Sequence, residues 1–189
     1  MRSEIENIVK GCISANRQSQ RKLYEYFYGF CFNTCMTFCK NNEEAMQMMN
    51  DGFLKVFRQL PRFKAPHPHF EVALKTWIKQ IMIHTAIDRY QETQKKYFLA
   101  EAAGFVFEEP GMEQCVIDKL PDNEMLNLVQ QLSPPCRIVY SLYVIHQFSH
   151  EKIADALNIT MDASQTRLDN ARRHIKKMLE HPWVPGKCA

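Results

Sequence analysis

Apolar residues recur at three- and four-residue intervals along nearly the whole chain, and this period commits it to helices. Breaks are few and concentrated. Only six glycines occur in 189 residues, and the nine prolines fall mostly in a few clusters. A chain punctuated in this way folds as helices separated by defined turns.

Ser3 followed by Glu6 has the capping-box spacing and opens a helix with Ile5, Ile8, Val9 and Cys12 on one face. A second helix is expected from about Gln20 to Cys39, with Leu23, Phe27, Phe30, Cys31, Thr34 and Phe38 inward. Asn41 and Asn42 cap a third, acidic at its start and striped by Ala45, Met49, Phe53, Val56 and Leu60. Three prolines make Pro61–His69 a loop, after which a long helix is expected from about Glu71 to Lys96. From Tyr97 to Asp122 the period fades while Gly104, Pro110, Gly111 and Pro121 appear. Beyond that gap, helices are expected over Asn123–Leu132 and, past Pro134 and Pro135, over Cys136–Ile145.

The predicted fold is therefore all-α: two small helical domains, 1–98 and 123–189, joined by an acidic linker, 99–122. Charge follows the same division. Residues 1–99 carry 15 Lys/Arg against 9 Asp/Glu, residues 100–127 one Lys against seven acids, and residues 128–189 eight bases against five acids. Two basic modules flanking an acidic segment suggest surfaces that prefer an anionic partner.

The strongest local pattern lies near the C-terminus. Ser149 caps a short helix to Leu157 with Ile153, Ala154 and Leu157 inward. Asn158, Ile159 and Thr160 form a tight turn, and Thr160 caps a longer helix, Met161–Leu179, with Leu168, Ala171, Ile175 and Met178 inward. Two helices around a three-residue turn, the second rich in bases, form a helix-turn-helix. In that motif the second helix enters the major groove, so Ala163, Ser164, Gln165 and Arg167 are expected to reach base edges. Arg172, Arg173 and Lys176 lie further along and are expected to meet phosphates. Gln147 lies just ahead of this motif, and a positive φ there would cost about 1 kcal/mol.

The runs Leu132–Tyr140, Phe148–Leu157 and Thr166–Arg172 resemble the last domain of extracytoplasmic-function sigma factors. Glu44–Ala45, Phe53–Phe57, Trp77–Ile78, Ile81 and Ala86–Asp88 resemble that family's second domain in order and spacing. The resemblance covers nearly all of the chain outside the linker. It implies a cytoplasmic, non-enzymatic bacterial initiation factor without a cofactor. Such a factor binds core RNA polymerase, reads promoter DNA at minus-ten and minus-thirty-five elements, and answers to an anti-sigma factor.

Carried over by position, Gln47, Asn50, Phe53, Leu54 and Phe57 fall on the polymerase-binding helix. Gln47 and Asn50 depart from the family's usual Asp and Gln. Arg62, Lys64, Lys75, Trp77, Lys79, His84, Arg89 and Lys95 fall on the minus-ten reader, with Arg62–Phe70 as the loop that captures a displaced base. His84 replaces the usual Asn. These departures leave an alternative: a helix-turn-helix regulator, or a sigma-like protein with weakened polymerase binding. A purely protein-binding helical scaffold is the alternative from another class.

Other chemistry finds little support. Cys31, Cys35 and Cys39 recur every four residues, presenting sulfurs in a line suited to packing rather than around a tetrahedral metal. His67 and His69 are an isolated pair. No nucleophile–base pattern, phosphate-cradling loop or carboxylate pair suggests an enzyme, and no metal site is expected. The N-terminus lacks a secretory h-region and no apolar run is long enough to span a bilayer, so membrane insertion is not expected.

Overall fold

Eight α-helices make up the computed structural model over its described residues, 4–64, 69–102 and 124–180. They are α1 (Glu4–Ile13), α2 (Arg17–Met36), α3 (Asn42–Gln59), α4 (Phe70–Ala102), α5 (Glu124–Gln130), α6 (Pro134–Tyr140), α7 (His150–Leu157) and α8 (Met161–Glu180). The chain divides into two compact units, Met1–Asp88 and Arg89–Ala189. Ser3 and most of the acidic segment lie outside the described residues.

Local chemistry sets the helix starts in the first unit. The Asn16 side chain accepts from the Ser19 N–H at 3.0 Å, so α2 begins three residues before the expected Gln20. Asn41 accepts from the Glu44 N–H, and the Glu44 carboxylate accepts from the Lys40 N–H, both at 2.9 Å. The expected cap of α3 thus forms as a reciprocal pair. Helix α2 ends at Met36 rather than Cys39, where Thr37 turns its hydroxyl back to the Thr34 carbonyl at 2.8 Å.

The core of this unit joins Leu23, Phe27 and Cys31 of α2, Ala45, Met49 and Val56 of α3, and Leu74, Ile78 and Met82 of α4. Fully burying one such large side chain stabilises by roughly 1.5–3 kcal/mol. Helix α3 presses close to α4 at Gly52, where an added Cβ would overlap the Met82 sulfur. Cys12, Cys31, Cys35 and Cys39 are all buried. Burial raises the Cys12 thiol to about 11 and the Cys31 thiol to about 12, leaving both protonated.

Two further boundaries differ from expectation. Pro61 sits in a 3-10 turn, Leu60–Arg62, because proline fits a first turn and Leu60 is buried beneath it. Helix α4 runs to Ala102, six residues beyond Lys96. Leu99, Ala100, Glu101 and Ala102 are all strong helix formers, so the helix outlasts the apolar stripe.

In the second unit, buried Arg137 donates from Nη2 to the carbonyls of Gln130 and Leu132, at 2.9 and 2.8 Å. A cation satisfying carbonyls at and just past the end of α5 ties that end to α6. Pro134 occupies the first turn of α6, and a π-helical turn at Ser141–Ile145 follows. Gln147 has φ 59°, the strained conformation expected of it. Val129, Leu132, Ile138, Val139, Leu142, Ile153, Leu157, Leu168, Ala171 and Ile175 form the core. Among the described residues, no helix is long and apolar enough to cross a membrane.

Candidate nucleic-acid interface

Helices α7 and α8 form the expected helix-turn-helix. Ser149 Oγ accepts from the Lys152 N–H at 3.3 Å, and Thr160 Oγ1 from the Ala163 N–H at 3.1 Å. Between these caps, Asn158 takes the left-handed conformation, at φ 55°. Asparagine tolerates that conformation and so can close α7 in a tight turn. Burial of Ile153, Ala154 and Leu157 against the stripe Leu168, Ala171 and Ile175 fixes which face of α8 remains outside.

That outer face carries Asp162, Gln165, Thr166, Asp169, Arg172, Arg173 and Lys176. Four of the predicted DNA contacts, Gln165, Arg172, Arg173 and Lys176, are therefore exposed together. Arg172 lies 4.0 Å from Asp169, Lys176 lies 3.6 Å from Glu180, and Arg173 donates to the Asn170 side chain. Exposed pairs of this kind are weak and exchange readily for phosphate. Thr166 joins this face, although its distance from the helix start does not single it out.

The other three sit differently. Ala163 and Arg167 are half-buried on the flanks of this face. Arg167 Nη1 donates to the Tyr90 hydroxyl at 3.3 Å, and Gln91 donates to the Ala156 carbonyl at 2.6 Å. Burial raises the Tyr90 phenol above its ordinary value despite the opposing pull of Arg167. Ser164 is 0% exposed, so its side chain cannot reach a base. Its hydroxyl lies 2.9 Å from His150 Nδ1 instead. The His150 ring stacks on Tyr143, with centroids 4.3 Å apart, and the Arg172 guanidinium lies 5.9 Å from the same Tyr143 ring. Ser164 and His150 together form a polar strut between the two helices of the motif.

In the first unit, α3 exposes Gln47, Asn50 and Leu54 along one line. Leu54 is 63% exposed, a large apolar side chain left facing solvent. Asn50 Oδ1 accepts from the Tyr24 hydroxyl at 3.0 Å. Phe57 is half-buried. Phe53 is only 2% exposed and packs on Tyr24, with centroids 4.6 Å apart, so it supports this surface from within.

The residues expected at the minus-ten reader divide between two faces of α4. Trp77 and His84 share one face with Gln80 and Asp88, at helical spacing. Lys75 and Lys79 lie about half a turn away, and Lys75 Nζ sits 4.6 Å over the Phe30 ring. Arg62 and Lys64 are exposed just before α4. Further along it, in the second unit, Arg89 is half-buried and Lys95 exposed. Trp77 is half-buried, tilted 36° to Phe63 at 4.9 Å, with Phe70 edge-on to Phe63. Phe63 and Trp77, together with Arg58, Gln59 and Arg62, line a cavity of about 340 Å³. Sequence position could not reveal this cavity, because α3 and α4 each supply part of it. Among the described residues, no group of three His, Cys, Asp or Glu side chains is placed to hold a metal.

Two known families match parts of the chain. Residues 23–96 match the family Sigma-70 region 2, and residues 122–175 match Sigma-70, region 4. RNA polymerase sigma factor YlaC of Bacillus subtilis is 24% identical over 167 residues, covering 86% of this chain and 92% of that protein. The RNA polymerase sigma-H factor of Pseudomonas aeruginosa is 24% identical over 156 residues, covering 76% of this chain and 77% of that protein. A solved structure of the sigma factor RpoE with the anti-sigma factor NepR from Bartonella quintana aligns with TM-score 0.48 and 16% identity. That alignment covers 86% of this chain and 98% of that one.

Proposed function

Since the chain belongs to the sigma-70 family, as an extracytoplasmic-function type factor that directs RNA polymerase to promoters, we propose a division of that task among its exposed surfaces. The outer face of α8 grips the minus-thirty-five element, with Gln165 and Thr166 toward base edges and Arg172, Arg173 and Lys176 toward phosphates. Arg167 reaches a base by exchanging Tyr90 for DNA. Trp77, His84, Arg62 and Lys64 serve the minus-ten element, where an aromatic floor can stack an unpaired base. Lys75 and Lys79, on the opposite face of α4, contribute long-range attraction rather than base contacts. Gln47, Asn50 and Leu54 meet the polymerase, with Phe53 holding Leu54 outward.

The observation that carries this reading is the exposed face of α8, basic toward its C-terminal half and set by a capped turn and an internal strut. The factor does no covalent chemistry, needs no cofactor and works in the cytoplasm, where core polymerase is found. Its basic surfaces suit an anti-sigma partner that covers them. The linker boundaries, near 99 and 122, separate the two reading modules.

Weakened polymerase binding is a second reading, favoured by the Tyr24 hydroxyl that already occupies the Asn50 carbonyl oxygen. Co-purification of the full chain with core polymerase at low salt decides between them. The proposal expects a stable complex that Leu54→Glu disrupts. Free elution of the unaltered chain would favour the second reading.

A further inference from the structure

We infer that the groove between α1, α2 and the start of α4 docks a protein partner through an arginine set between aliphatic side chains. The groove is a cavity of about 240 Å³ lined by Glu4, Ile5 and Ile8 of α1, Tyr26 of α2 and Glu71 of α4. Ile5 is buried and Ile8 half-buried, while Tyr26 and Val72, the neighbour of Glu71, are 55% and 66% exposed. Tyr26 is fixed at both ends all the same. Its ring stands edge-on to Phe27 with centroids 4.9 Å apart, and its hydroxyl donates to the Glu71 carboxylate. An aromatic side chain already held in place loses little conformational freedom on binding, and tyrosine is enriched among the residues that anchor interfaces.

Charge selects the occupant. Residues 1–99 carry 15 Lys/Arg against 9 Asp/Glu, yet two carboxylates and no base line this cavity. An acid in the first turn suits each helix by itself. Here both acids bear on one phenol, whose pKa rises above its ordinary value through the Glu71 hydrogen bond, burial, and the charges of Glu71 and Glu4. Lys75, the next base along α4, holds its Nζ over the Phe30 ring instead. Neither promoter DNA nor a partner for the basic faces fits an acid-lined groove. A guanidinium does: it is planar, always charged, and able to bond carboxylates while stacking on an aromatic ring. At about 240 Å³ the cavity is smaller than the roughly 300–1,000 Å³ of small-molecule sites and suits one side chain. Exposed Val72 extends the apolar surface beyond it, for the aliphatic neighbours of that arginine to cover. Tyr24 and Tyr26 lie two residues apart on α2, about 200° around it. The Tyr24 hydroxyl meets Asn50 of α3, so the groove opens on the other flank of α2 from Gln47, Asn50 and Leu54. The partner can therefore hold the factor while polymerase holds α3, which rests on the polymerase contact proposed above.

The test titrates the full chain, labelled at its isoleucine and valine methyl groups, with acetyl-leucyl-arginyl-leucine amide and with the same peptide carrying citrulline for arginine. Magnetic resonance follows the Ile5, Ile8 and Val72 signals. The arginyl peptide is expected to shift them at about tenfold lower concentration than the citrulline peptide, which keeps the shape without the charge. Glu4→Gln and Glu71→Gln are each expected to cut that preference to about threefold, with helicity checked by circular dichroism. Equal or absent responses to the two peptides overturn the inference, as does a preference unchanged in both glutamine variants. Shifts at exposed Val144 and Ile145 without shifts at Ile5, Ile8 and Val72 overturn it as well. Repeating the titration on the chain bound to unlabelled core polymerase separates the groove from the polymerase contact. The same shifts are expected there, and their loss overturns a partner that acts alongside polymerase. If no polymerase complex forms, the proposed polymerase contact fails, while the titration of the free chain still decides the groove.

Discussion

Replacing Ser164 with alanine separates a strut from a base reader. The hydroxyl is fully buried and pairs with His150, which stacks in turn on Tyr143. An intramolecular hydrogen bond contributes about 0.5–1.5 kcal/mol net. Half-buried His150 can recover water, which places the expected loss near 1 kcal/mol. In a unit of this size that lowers the melting temperature by roughly 4–8 °C. His150→Ala also removes the Tyr143 stack, worth about 0.5–1.5 kcal/mol, and is expected to cost about 2 kcal/mol. The double variant should lose less than the sum of the single losses, since both delete the same bond. Scanning calorimetry of the full chain reads these losses, and binding to a panel of duplexes reads specificity. Affinity should fall uniformly across sequences, because a tilted α8 misplaces every contact together. Unchanged stability with preference lost at a single base pair would refute the strut.

Gln147→Gly relieves the positive φ and is expected to stabilise the second unit by about 1 kcal/mol, measured by urea unfolding. Leu54→Glu is expected to weaken core polymerase binding by about tenfold while stability shifts by less than about 0.5 kcal/mol, read by interferometry and calorimetry. Cys12 and Cys31, held near 11 and 12 against 9.0, should resist alkylation in the native protein, as peptide mass spectrometry would show. Since unfolding lets these thiols ionise at lower pH, their contribution to stability is full below pH 9.0 and falls as pH rises toward 11–12.

What was legible in the sequence was local. The caps at Ser149 and Thr160, the turn at Asn158 and the inward stripe of α8 depend on neighbours within a few residues. They are found where the sequence places them. Ser164 was misread because the partner that claims its hydroxyl, His150, lies across the turn. Phe53 lies inward on the stripe of α3 as expected, but the Tyr24 ring that packs on it, nearly thirty residues earlier, is not visible in that stripe. Lys75 and Lys79 lie about half a turn of α4 from Trp77 and His84, a separation that the helical period already implies. Arg58 and Gln59 escaped notice because the floor of their cavity belongs to another helix. The π-helical turn at Ser141–Ile145 left no mark in the residue pattern.

In vitro transcription with purified core polymerase, the full chain and genomic fragments, followed by mapping of start sites, tests the central claim most directly. The account predicts discrete starts preceded by two shared elements at fixed spacing. These starts should disappear when Arg172 and Arg173 are both replaced by alanine. Starts no more frequent or better defined than those of core polymerase alone would contradict it.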